Sequence, residues 1–271
     1  PRRTLIPVNA TLPVVPPQDV PAVLANFPGC TTVKVKVADG GRTDPETVAG
    51  DLERLAAVRA ALGANGRVRI DLNGAWSLDD ALRLLPRYDR AAGGLEYAEQ
   101  PCADVDDLAR LRRRLDIPIA ADESIRRTDD PLRVVRRHAA DVAVVKVAPL
   151  GGVRPALRLA EQLTLPVVVS SALESSVGIS AGLALAAALP DLPYACGLGT
   201  VGLLAADVTD QPLVPVNGSI EVRRAVPSPA ALDAVRADKA TTAAWRARVA
   251  DVHEQALPSD EPPPGVPEGI R

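Results

Sequence analysis

Short apolar runs alternate with amphipathic stretches along most of the chain, and this alternation limits the fold more than any other feature. Strand-like runs fall at 4–9, 32–37, 68–73, 95–100, 117–122, 142–148 and 165–171, with a weaker eighth at 195–198. Helical patterns fill the gaps at 17–26, 45–62, 77–88, 105–115, 131–138, 153–162 and 177–189. Several of these open on Pro, on an acidic residue or on a capping residue such as Ser77, as helix starts do. The strand runs are apolar on both faces, as strands are when helices cover one side of a parallel sheet and packed side chains the other. Repeats of this kind predict an α/β fold with a closed parallel barrel. An open doubly wound sheet would need a Gly-rich phosphate turn after its first strand, and Asn9-Ala10-Thr11-Leu12-Pro13 is not one.

Composition narrows the function classes. A chain of 271 residues with 47% apolar content can build one large domain, and with 2% aromatics its core must be Ala, Val, Leu and Ile. A net charge of −3 argues against a nucleic-acid or anionic-membrane surface. Arg112-Arg113-Arg114 and Arg136-Arg137 fall on helical patterns and read as solvated faces. No apolar run reaches the ~20 residues of a membrane span, no leader pattern is visible, and Cys30, Cys102 and Cys196 lack metal-ligand spacing. The expectations are a small-molecule carboxylate partner, no nucleic acid, no membrane, a monomer, and a cytoplasmic location. His138 and His253 belong to no motif and read as surface residues. The barrel is expected over 1–225, a helical segment over 226–257 with helices at 229–240 and 241–256, and a disordered Pro-, Glu- and Gly-rich tail over 258–271. A start at Pro1 and the absence of methionine fit a fragment or processed product with further sequence upstream.

Only four of the 31 Lys and Arg residues are lysine, and Lys34, Lys36 and Lys146 all sit inside β-branched runs; Lys239 does not. Arginine stays protonated, whereas lysine can lose its proton when desolvated or beside another cation, so it can serve as a base or a Schiff-base nucleophile. Polar residues gather where the runs end: Lys34 and Lys36, then Arg69, Asp71 and Asn73, then Glu99, Asp122 and Lys146. Period-two geometry puts Lys34 with Lys36, and Asp71 with Asn73, on one face. These are C-terminal strand ends, where barrel active sites form. Three converging carboxylates need a cation to stay ionised together, and oxygen-only ligands suit a hard ion such as Mg²⁺, with Mn²⁺ as a substitute. Lys34 and Lys36 would lower each other's proton affinity and free one as a base. Two alternatives remain open: buried salt bridges without chemistry, and an aldolase forming a Schiff base on Lys146.

The Lys34-x-Lys36 pair, the Asp71/Glu99/Asp122 set and Lys146, in this order on successive strands, resemble the enolase superfamily in its muconate-lactonizing subgroup, over about residues 5–225. The resemblance implies the (β/α)7β form of the TIM barrel, with an N-terminal capping domain that closes over substrate and is expected to lie outside these residues. It implies Mg²⁺ held by Asp71, Glu99 and Asp122, with Asn73 and Glu123 orienting these ligands. Lys36 would remove the proton α to a carboxylate and return it to a departing β-hydroxyl, Lys34 would tune Lys36, and Lys146 would help stabilise the enediolate. Ser170-Ser171-Ala172-Leu173-Glu174-Ser175-Ser176-Val177-Gly178 and Gly197-Leu198-Gly199-Thr200 resemble an actinobacterial branch that dehydrates a hydroxycyclohexadiene carboxylate in menaquinone biosynthesis. Ser170, Ser171, Glu174, Ser175, Gly197 and Leu198 are the substrate-binding candidates. Racemisation of N-succinylamino acids, dipeptide epimerisation and muconate lactonization would use the same metal and lysines, and a lid-less, non-catalytic barrel is the reading from another class.

Overall fold

A computed structural model of the chain describes residues 3–256; the expected tail at 258–271 lies outside the described residues. The chain runs β1 (Leu5–Pro7), β2 (Ala10–Leu12), α1 (Val20–Leu24), β3 (Thr32–Lys36), α2 (Pro45–Leu62), β4 (Arg67–Asp71), α3 (Leu78–Ala92) and β5 (Tyr97–Glu99). It continues with α4 (Val105–Arg112), β6 (Ile119–Ala121), α5 (Glu123–Arg126), α6 (Arg133–Arg136), β7 (Val142–Lys146), α7 (Val153–Leu163), β8 (Val167–Ser170) and α8 (Ser176–Ala188). Last come β9 (Ser219–Glu221), α9 (Pro229–Ala234) and α10 (Lys239–Ala256). Helix starts follow the side-chain chemistry: Asp44, Ser77 and Asp104 each accept a backbone N–H of the first turn, which satisfies donors the helix itself cannot.

Strands β2 to β8 form one parallel seven-stranded sheet in chain order. The eighth position is not a full strand. Cys196 and Gly197 close the barrel: Gly197 N–H donates to Val169 O and Ser171 N–H to Gly197 O, at 2.8 and 3.1 Å, while Cys196 N–H donates to Pro7 O and Asn9 N–H to Cys196 O, at 2.8 and 3.0 Å.

The first strand also departs from expectation. The run at 4–9 splits, and its Leu5–Pro7 part pairs antiparallel with β9, outside the barrel. Ile6 is buried between exposed Leu5 and Pro7, the alternation of a strand with one wet face. Ala10 and Leu12 are both buried, so β2 takes the barrel's first place.

Below the mouth, Tyr97, Ala120, Val142, Val144 and Val168 plug the barrel, with Tyr194 against them. Arg69 lies in this layer, fully buried. It donates to Glu96 Oε2, Asn9 Oδ1 and Ala195 O at 2.5, 3.1 and 2.8 Å, and its guanidinium stacks on Tyr97 at 4.6 Å. It is a counter-charge under the site that ties the closing segment to β4. Helices α9 and α10 leave Leu232, Trp245 and Val249 exposed, as is Val235 just after α9. No described helix is long and apolar enough to cross a membrane.

Candidate active site

The ladder sets the site. Lys36 pairs with Asp71 and Asp71 with Glu99, so neighbouring strands end in charge at the same level. The strands carrying Lys36 and Lys146, β3 and β7, stand four apart in the sheet order, which is half-way round a barrel closed at its eighth position. Two ammonium groups therefore approach the acids from opposite sides. Lys34 Nζ donates to Asp71 Oδ2 at 2.9 Å and to Glu99 Oε1 at 3.1 Å. Lys36 Nζ donates to Asp71 Oδ2 at 2.5 Å and Asn73 Oδ1 at 2.8 Å. Lys146 Nζ donates to Asp122 Oδ2 at 2.7 Å. Asn73 reaches both Lys36 and Glu123, its Nδ2 donating to Glu123 Oε1 at 3.2 Å. It does so from a left-handed turn, with φ of 51°, and not along the pleat as expected, because β4 ends at Asp71.

The acids and cations balance one for one: Asp71, Glu99, Asp122 and Glu123 against Lys34, Lys36, Lys146 and Arg126. Burial works against the charge on Lys34, yet Glu99 and Asp71 outweigh it and hold the ammonium more firmly protonated than usual. Lys34 is therefore not loosened as expected: the charges of Glu99 and Asp71 dominate its surroundings. Burial likewise opposes ionisation of Asp71, and Lys34 with Lys36 overcomes it, so its carboxyl titrates below the usual range. Glu99 is the strained member: burial first, then the charge of Asp71, push its carboxyl up to about 7.

The donor set suits a hard divalent cation. Asp71, Glu99 and Asp122 offer only oxygen, are 2%, 1% and 0% exposed, and include one acid that a positive charge would relieve. Glu123 Oε2 is buried with no partner beside them. As placed, the side chains are not gathered for ligation, and no group of three acidic, His or Cys side chains among the described residues would hold an ion. Lysine and arginine groups stand between the carboxylates instead.

Comparison with known proteins gives the family. The enolase C-terminal domain-like family model matches residues 22–253. The o-succinylbenzoate synthase of Thermobifida fusca (strain YX) is 59% identical over 250 residues, 92% of this chain and 76% of the relative. That of Mycolicibacterium smegmatis is 54% identical over 251 residues, 93% of this chain and 75% of the relative. The chain belongs to the o-succinylbenzoate synthase family of the enolase superfamily. Among solved structures, 2-chloromuconate cycloisomerase from Rhodococcus opacus 1CP superposes with a TM-score of 0.77 at 29% identity, covering 88% of this chain and 65% of that one. The L-Ala-D/L-Glu epimerase from Bacillus subtilis gives 0.71 at 25% identity, covering 83% and 63%. The chain thus spans less than two thirds of the length of these superfamily structures.

The remaining candidates lie on the two loops that follow β8 and the closing segment. Ser170 pairs with Lys146 in the ladder and is buried under Gly197. Ser171 Oγ lies 2.8 Å from Thr200 Oγ1, joining the two loops. Glu174 Oε2 accepts the N–H of Ala172 at 2.7 Å, and Ser175 precedes α8 without using its hydroxyl as a cap. The side chain of Leu198 is 1% exposed and packs on Gly182 in the core, so it is a candidate through its backbone alone. No side-chain hydrogen bond among the described residues joins these segments to the charged ends of the lysine–carboxylate cluster.

Sequence reasoning passed over Gln100 and Arg126. Gln100 Oε1 accepts the N–H groups of Asp122 and Ser124 at 3.0 and 3.2 Å, and its Nε2 donates to Ser124 Oγ at 2.6 Å, which fixes the end of β6 against that of β5. Arg126 holds Asp122 and Glu123 at 2.8 and 2.6 Å. The signal for both was adjacency to a candidate ligand, in Glu99-Gln100 and Asp122-Glu123-Ser124-Ile125-Arg126.

Proposed function

We propose that this chain is the catalytic barrel of an o-succinylbenzoate synthase, which dehydrates 2-succinyl-6-hydroxy-2,4-cyclohexadiene-1-carboxylate to 2-succinylbenzoate in menaquinone biosynthesis. The observation that supports this best is the pair of ammonium groups, Lys36 and Lys146, facing each other across three buried carboxylates at a barrel mouth. Enolase-superfamily sites are a known example of a lysine base working with Mg²⁺. Asp71, Glu99 and Asp122 would hold the divalent cation, and Glu123 and Asn73 would orient them. When bound, such an ion supplies Lewis-acid stabilisation for negative charge developing on a substrate carboxylate.

Lys36 is the proton-transfer group. Its side chain is 36% exposed against 10% for Lys34 and Lys146, so substrate can reach it without unpacking the barrel. In its neutral form Nζ takes the proton from the carbon α to the carboxylate. The ammonium so formed gives that proton to the β-hydroxyl as its C–O bond breaks, releasing one water and leaving an aromatic ring. Lys146 faces the opposite side and balances carboxylate charge from there. Lys34, held protonated by Glu99 and Asp71, bridges these two acids and offsets their mutual repulsion. The hydroxyls of Ser170 and Ser171 are the groups for the substrate's second carboxylate, since Ser170 ends the strand beside Lys146 and Ser171 follows it; the backbone of Gly197 is already used in closing the barrel.

The test is turnover of the cyclohexadiene substrate, followed by the absorbance change on aromatisation. We expect turnover with Mg²⁺, its loss in EDTA, and its return with Mg²⁺ or Mn²⁺. Exchange of an α-proton of an N-succinylamino acid, without any dehydration, would favour the racemase reading. Turnover in rigorously metal-free buffer would overturn the assigned metal site.

A further inference from the structure

Helix α2 has charge where its core-facing stripe should be apolar. Val48, Asp51, Arg54, Leu55 and Val58 are its buried residues. Asp51 is 1% and Arg54 5% exposed, which is costly for charge unless every group is matched. The partners are each other, Tyr88 and three backbone groups. Arg54 Nε donates to Val15 O at 2.7 Å, and its Nη1 donates to Asp51 Oδ1 at 2.6 Å and to Lys36 O at 3.4 Å. Asp51 Oδ2 accepts the N–H of Ala38 at 2.8 Å and the hydroxyl of buried Tyr88 at 2.8 Å.

These contacts fall where the sheet lets go of the chain. Beyond Lys36 the one ladder contact is Val37 N–H to Asp71 O, stretched to 3.5 Å, and Ala38 already turns left-handed, with φ of 54°. From α2, Asp51 holds the N–H of Ala38 at 2.8 Å, and Arg54 adds a long contact to the carbonyl of Lys36 at 3.4 Å. The same guanidinium holds Val15, in the loop that leaves the C-terminal end of β2 at the mouth.

Resting on the function proposed above, we propose that Arg54 and Asp51, aligned by Tyr88, are positioning residues for Lys36: they fix the backbone around it so that Nζ meets the α-proton. Among the described residues, none of the three hydrogen-bonds a charged end of the lysine–carboxylate cluster; Arg54 meets Lys36 only at its carbonyl. The metal ligands and Lys34 are held by the ladder and by one another, so the network acts on proton transfer and leaves cation binding alone. An arginine is needed because one planar fork must serve acceptors on three segments, which a lysine ammonium cannot match. A displacement of ~1 Å at a reacting group, caused from a distance, can cost ~100-fold in rate.

The experiment compares unsubstituted protein with Arg54→Lys, Asp51→Asn and Tyr88→Phe, each loaded with Mg²⁺. We expect Arg54→Lys to lose ~10–100-fold in kcat, with KM and Mg²⁺ affinity by calorimetry within about twofold. Tyr88→Phe removes one hydroxyl and keeps the fold, and should show the same pattern at about fivefold, the scale of one hydrogen bond. Hydrogen exchange at the Val37 and Ala38 amides should quicken in all three variants, a readout that needs no turnover. Unchanged kcat and unchanged exchange in folded variants would overturn the positioning role while leaving the dehydratase reading intact. Equal losses in kcat, KM and metal affinity would also overturn it, as the mark of general loosening. Absence of dehydration by the unsubstituted protein would instead overturn the function, and the exchange data would still decide whether the network holds this backbone.

Discussion

Lys36 differs from its two companions in exposure and in partners. It shares Asp71 with Lys34 but also leans on Asn73 in an exposed turn, so it can swing toward substrate. Arginine at this position would keep the charge and the pairing yet could not give up a proton near neutral pH. Lys36→Arg is therefore expected to cost nearly as much as Lys36→Ala, several orders of magnitude in kcat, while Lys239→Arg on exposed α10 leaves the rate unchanged. If Lys36→Arg kept most of the rate, proton transfer would belong to Lys146. At this scale the sequence was most legible where a charged residue interrupted an apolar strand, as with Lys34, Lys146, Asp71 and Glu99. Gln100, Arg126, Asp51 and Arg54 were not legible as functional. Their effect depends on which backbone groups the folded chain brings beside them, and a helix residue's spacing says only which face it shares. Asp51 and Arg54 still carried a signal, as two charges in register with Val48, Leu55 and Val58.

Among the elements, the buried strands were easiest to read. β3 and β7 are β-branched apart from their lysines and Ala143, and the turns after them carry the breaks that end them. Closure was harder, because Cys196 and Gly197 complete the barrel with single bridges and only the weak run at 195–198 announces it. The short β1 misled for a related reason: its residues suit any half-buried strand, and only the distant β9 decides its partner. Gly197 exposes how tight the closure is. A Cβ there would meet Ser170 Oγ at 2.4 Å and Ser170 Cβ at 3.2 Å. Gly197→Ala is expected to destabilise the barrel by ~1–3 kcal/mol, the usual cost of overpacking, measured by denaturant unfolding. Adding Ser170→Ala removes the nearer clash and should restore part of that stability, though not all, since the Cβ contact remains. A double variant no better than the single one would mean that backbone, and not the serine hydroxyl, sets the limit.

For the whole molecule, the charge cluster couples stability to pH and to metal. Asp71, with its lowered carboxyl, contributes stability that is present above the usual aspartate range and lost as pH falls through it; Lys34, with its raised ammonium, contributes below the usual lysine range and loses it at high pH. Glu99 has the opposite sign for an acid. Its carboxyl titrates near 7 when folded against ~4.3 in an unfolded chain, so between those values the folded state holds the extra proton. Raising pH through that window must then destabilise the metal-free barrel, by an amount on the order of a few kcal/mol. A divalent cation reverses the balance, since it binds the ionised carboxylate and binds only the folded chain. The gap in Tm between Mg²⁺-loaded and EDTA-treated protein is accordingly expected to widen from about pH 5 to pH 8 by roughly 5–10 °C. Glu99→Gln should flatten the pH dependence of the metal-free form and remove most of the gap. A gap that is constant with pH, or that survives Glu99→Gln, would place the cation away from this carboxylate. The acids would then serve the barrel mouth only as partners for its lysines.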